Sequence, residues 1–123
     1  MSSHVRMFKP QFAVLVESGA KCQTVRPVPR RMPKIGDTIS LRAWTGKPYR
    51  SKQRVLRVAK VTAIETVEIW SDQFVIGGQA PTVAGELDFA KADGFENPKQ
   101  MIDWFEAEHG LPFSGVVIKW GQV

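Results

Sequence analysis

The chain has 123 residues, 43% of them hydrophobic and 24% charged, with a formal net charge of +5. That is the size and composition of one globular domain with a core of its own. No apolar run approaches the roughly 20 residues of a membrane-spanning helix, and residues 1–6 lack the apolar stretch of a signal peptide.

One cysteine, Cys22, and two histidines, His4 and His109, provide neither a disulfide framework nor metal-ligand spacing. The expectation is a metal-free, cofactor-free protein of a reducing cytoplasm. Residues 1–6 are expected to form a loose leader and residues 7–123 a single domain. The charge is unevenly spread. Residues 21–60 hold twelve Lys or Arg against the single acid Asp37, whereas residues 61–123 hold three lysines against ten acids. A basic half-chain suits a phosphate-bearing partner, or is simply solvated; charge alone does not separate the two.

Phe8, Phe12, Leu15 and Val16 fall at helical spacing, Pro10 suits a first turn, and Gly19 suits the left-handed residue past the last one. The spacing predicts a helix over residues 10–18. A short extended segment follows from Cys22 to Arg26, and Lys21, Thr24 and Arg26 bring an amine, a hydroxyl and a fixed cation to this junction. Such a cluster can bind an anion or take part in attack on a carbonyl. In a straight strand Lys21 would face away from Thr24 and Arg26, so a shared site requires Lys21 to lie in the turn before the strand.

Lys34-Ile35-Gly36-Asp37 reads as a turn opening a strand over Thr38–Trp44. In that strand Ile39, Leu41 and Ala43 face one way, and Ser40, Arg42 and Trp44 the other. A hydroxyl, a guanidinium and an indole on one face suit a planar polar ligand, or an indole that merely covers a core edge. Residues 45–54 form a basic loop around Tyr49, a pattern that suits nucleic acid but also occurs in ordinary solvated loops. Val55–Trp70 reads as one long bent strand, or two joined near Ala63, and Phe74–Ile76 as a short one.

The period then changes. Val83–Ala92 reads as a helix with Leu87 and Ala90 inward, stopped at Asp93-Gly94. Asn97 caps a further helix with Pro98 in its first position and Gln100 able to bond back to the cap. Met101, Trp104 and Phe105 make a stripe expected to be core rather than ligand site. Val116–Trp120 alternates as a closing strand. Helices do not alternate with strands, so the expected class is α+β: a small, mostly antiparallel, barrel-like sheet with about three flanking helices.

Three segments together, Gly19–Arg26, Gly36-Asp37 before a strand, and Ala90–Phe95 before the Trp104-Phe105 helix, resemble the ASCH domain family, a relative of the PUA fold. The likeness in order and spacing runs from Met7 to Trp120. It implies a barrel-like module associated with RNA, similar to small bacterial amidohydrolases that deacetylate N4-acetylcytidine. It also implies a catalytic trio of lysine, threonine and glutamate. Lys21 and Thr24 match the first two, and Asp93 stands at the glutamate's place, one methylene shorter. The implied activity is hydrolysis of an N4-acylated cytosine nucleoside, with Arg26, Ser40, Arg42, Trp44 and Tyr49 as candidate substrate contacts. The other reading is a non-catalytic RNA-binding module. On the residues alone, Lys21 can serve as base or as charged oxyanion stabiliser.

Overall fold

Pro10 presets the first helical turn and Gly19, at φ 88°, closes the last, so the first helix is α1, Pro10–Ser18. Phe12, Ala13 and Val16 are its buried residues. The computed structural model describes residues 2–121. Before α1, Ser3–Met7 forms strand β1, where a loose leader was expected. β1 has little apolar content of its own. It is held by parallel pairing with β3 (Thr38–Trp44) and by His4, whose ring nitrogen lies 2.9 Å from the Asp37 carboxylate in a buried pair. Residue 1 of the expected leader lies outside the described residues.

β2 (Gln23–Arg26) follows α1, and then β3 opens at the Gly36-Asp37 turn. Ile39, Leu41 and Ala43 are buried, while Ser40, Arg42 and Trp44 are half-buried on the opposite face, as the alternation predicts. β4 (Gln53–Ile69) is one long strand with two sets of partners. Its first half pairs with β3, and its second with β5 (Phe74–Ile76) and β6 (Phe113–Trp120). The register against β6 shifts between Val61 and Ala63, where the sequence suggested a bend.

The pairing order is β1-β3-β4-β6-β2, with β5 on β4. Among the described residues this path is open, ending at β1 and β2, so the mostly antiparallel sheet, expected to be barrel-like, is not closed into a barrel. The parallel β1 adds an edge beyond β3 instead of closing the sheet. The class is α+β, with six strands and three helices.

α2 (Val83–Ala92) is capped by Thr82, whose hydroxyl accepts from the Gly85 N–H at 3.0 Å. Its inward residues are Phe89 and Ala90; Leu87, expected inward, is 36% exposed. α3 (Pro98–His109) begins at Asn97, whose side chain accepts from the Gln100 N–H at 2.8 Å. Gln100 returns the bond to the Glu96 N–H at 2.7 Å, one residue earlier than a capping box would have it.

The Asp37 corner carries a test in acid. Its carboxylate accepts N–H groups from Lys34 at 3.0 Å and Ser2 at 3.2 Å besides the His4 contact. These bonds, Lys34's first, hold its pKa down at about 2. The folded pKa lies below that of an unfolded aspartate, so its stabilisation is complete above about pH 4 and is lost as pH falls toward 2. Urea midpoints of the native protein and Asp37→Asn, measured from pH 6 to 2, should differ most near neutrality and converge in acid.

Candidate active site

Lys21 lies in the connection between α1 and β2, not in the strand, which removes the facing problem. Its backbone N–H donates to Leu15 O at 3.0 Å, and the next N–H, of Cys22, donates to Ala92 O at 2.9 Å. The turn is thus tied to α1 on one side and to the end of α2 on the other. Gly94, at φ 96°, is required here. A Cβ on it would sit 3.2 Å from both the Lys21 stem and Leu15.

The Lys21 amine donates to the Asp93 backbone carbonyl and lies 3.3 Å from Asp93 Oδ2. Lys21, Thr24 and Asp93 are each 3% exposed. All three line one cavity of about 270 Å³, with Arg26 beside them. Thr24 Oγ1 accepts from Arg26 Nε at 3.0 Å, and Arg26 Nη2 donates to Met7 O at 2.6 Å. The guanidinium carbon stands 5.0 Å from the Phe8 ring centre, and the Lys21 amine 5.1 Å from that of Phe12. The site is a small cationic hollow walled by aromatic rings.

Burial dominates its protonation. It pushes the Lys21 amine down, with Asp93 opposing and Arg26 adding to the fall. It pushes the Asp93 carboxyl up, with Lys21, Gln23 and Arg26 opposing. Both members of the pair are therefore driven toward their neutral forms, and the proton between them belongs to the pair rather than to either residue. Burial also brings Arg26 down to about 10, with Arg6 adding repulsion and Asp93 opposing. Asp93 is the cap residue of α2, where the helix dipole disfavours a carboxylate by roughly 0.3–1 kcal/mol.

Of the other expected contacts, Ser40, Arg42, Trp44 and Tyr49 do not line this cavity. Arg42 is tied to Ser40 at 2.9 Å and to Gln53 at 2.9 Å, and the Trp44 ring sits 5.1 Å from Tyr49. They face outward because β3 turns its other side to α1 and the core. Aromatic groups not singled out as site residues belong here. Phe8 and Phe12 line the hollow, and Trp104 and Phe105, both read as core, form part of its wall, Trp104 half-buried and Phe105 buried. Met101 of the same stripe is core and does not line it. At the rim the Lys9 amine meets Glu108 at 2.7 Å. Gln23, 2% exposed, reaches Asp93 Oδ1 at 3.3 Å. No spacing in the sequence marks Gln23, since strand alternation sets it opposite Thr24.

Among the described residues no helix is long and apolar enough to cross a membrane, and no group of three His, Cys, Asp or Glu could hold a metal ion. The crystal structure of hypothetical protein PH0355 is similar to this chain over 100% of both, with a TM-score of 0.55 and 17% identity. At that identity the likeness is one of fold. No family model and no curated protein matches the chain.

Proposed function

We propose that the protein is an amidohydrolase of the ASCH type acting on an N4-acylated cytosine nucleoside, N4-acetylcytidine being the substrate to test first. One observation carries the reading: Lys21, Thr24 and Asp93, drawn from positions 72 residues apart, meet in one buried cavity. In the proposed reaction Thr24 Oγ attacks the acetyl carbonyl while its proton passes to the Lys21 amine. Arg26, donating to that same oxygen, favours its anionic form. The tetrahedral adduct expels the cytosine 4-amine, which takes the proton back from Lys21, leaving an acetyl ester on Thr24. Water then cleaves the ester to acetate and restores the hydroxyl. The sum is N4-acetylcytidine plus water giving cytidine plus acetate. Asp93 holds Lys21 in place and shares its proton. Incubation with N4-acetylcytidine should give cytidine and acetate in equal amounts; no turnover with correctly folded protein would end the reading.

A specific surface favours a second reading, RNA binding. The Trp44–Tyr49 ring pair stands on the β3–β4 hairpin with Tyr49 90% exposed. Lys47, Arg50 and Lys52 around it are exposed, and the described residues show no acid paired with them. Cations for phosphates and a ring for a base form a single-strand platform. On this reading RNA affinity falls steeply with salt, and Arg50→Glu weakens it and flattens the slope by about one contact. Affinity unchanged between low and high salt would exclude it.

A further inference from the structure

Gln23 spans two pieces of structure. Its side-chain amide donates to Asp93 Oδ1 at 3.3 Å and to Phe89 O, in the last turn of α2, at 3.4 Å. Those are the two hydrogens of one amide group, and both go to α2 or its cap. Lys21 takes Asp93 Oδ2 and the Asp93 backbone carbonyl from the other side. Each oxygen of the carboxylate thus has its own donor, one from β2 and one from the turn before it. The Phe89 carbonyl also receives the Asp93 N–H at 3.2 Å. Gln23 therefore fixes the end of α2 and the carboxylate rotamer together.

Lys21 attracts the Asp93 carboxylate most strongly and holds Oδ2. The Gln23 amide holds the other oxygen, and so sets how the carboxylate is turned toward Lys21. It is a neutral group, so it adds a donor without adding a third basic side chain to a hollow that already holds Lys21 and Arg26, with Arg6 acting on Arg26. It also stabilises the ionised form of Asp93 against the burial that opposes it, alongside Lys21 and Arg26.

We propose that Gln23 is a positioning residue that aims the Asp93 carboxylate at Lys21. For its kinetic consequence this rests on the amidohydrolase reading; the structural claim does not. The groups that bear on Asp93 are Lys21, Gln23 and Arg26, and those that bear on Lys21 add Cys22.

The test is a carbon NMR titration of the Asp93 side-chain carboxyl in the native protein and in Gln23→Met, which keeps length and loses the donors. Loss of a hydrogen bond to a charged group should move the Asp93 midpoint upward by about one pH unit. In the native protein the Gln23 side-chain amide signals should shift with the Asp93 midpoint, a measurement that needs no variant to fold. With N4-acetylcytidine as substrate, kcat in Gln23→Met should fall with KM little changed, since Gln23 touches Asp93 and not the substrate. An unmoved Asp93 midpoint, or Gln23 amide signals blind to it, would overturn the proposal whether or not the nucleoside is hydrolysed. A moved midpoint in a protein that turns over no nucleoside would uphold it while ending the amidohydrolase reading.

Discussion

Lys21→Met is expected to lower kcat for N4-acetylcytidine by about 10²–10⁴-fold, the range for losing a positioned acid–base group. Thr24→Val, a replacement of nearly equal shape, should lower it at least as far, since the proposed bond forms at the lost oxygen. Initial rates of cytidine release measure both. The pH dependence separates the two roles of Lys21. As a base it acts neutral, so the rate rises with pH through its burial-lowered pKa. As a charged oxyanion stabiliser, it would give a rate that falls through the same point.

The same substitution has a second signature in stability. Removing one partner of a buried ion pair costs about 3–5 kcal/mol when the other must stay charged. Asp93 need not, because burial already raises its pKa. In Lys21→Met it should take up a proton on folding. A carboxyl whose folded pKa exceeds the unfolded value of about 3.9 contributes best in acid and loses stability as pH rises above that value. Urea unfolding of Lys21→Met should therefore show a midpoint that falls from pH 4 to pH 7. Lys21→Met/Asp93→Asn should flatten that fall without restoring activity.

Where the sequence was legible, one local signal matched one local structure. Pro10 and Gly19 bracket α1, Asn97 with Pro98 starts α3, and the alternation of Ile39, Leu41 and Ala43 sets the buried face of β3. What was not legible depended on partners distant in the chain. Residues Ser3–Met7 carry no run of apolar residues, with Val5 42% exposed, and become a strand only through β3 and Asp37. The open sheet follows from that same edge. In the site, the resemblance linked Lys21, Thr24 and Asp93, because Lys21 and Asp93 sit in recognisable turns and Thr24 follows at a fixed spacing in the short strand β2. Gln23, Phe8 and the rim pair Lys9–Glu108 were invisible, because nothing local distinguishes them. Ser40, Arg42 and Trp44 were assigned to a ligand by chemistry alone. Strand alternation told which side they share, not that the hollow lies elsewhere.

Gly115→Ala joins fold and site in one substitution. Gly115 is in β6, in the strand pair that holds Thr24 and Arg26 of β2, opposite Ile118 and Val116. A Cβ at this position would land on the carbonyl oxygen of Arg26, inside van der Waals contact, and 2.9 Å from its carbon. The obstacle is backbone, which has no rotamer to yield, so β2 must move away from β6 or bend. Overpacking of this kind costs about 1–3 kcal/mol, and a clash with main chain belongs at the upper end. For a domain of this size that is a fall in Tm of about 10 °C. The displacement carries Arg26 with it, and Arg26 is the donor to Thr24 and the tie to Met7. Activity should therefore drop even at temperatures where the variant is fully folded, with KM and kcat both affected. Calorimetry and rates at 15 °C, taken together, check the two halves. A variant as stable and as active as the native chain would mean that β2 can leave β6 without cost, and with it would go the argument that this strand pair fixes the geometry of Thr24 and Arg26.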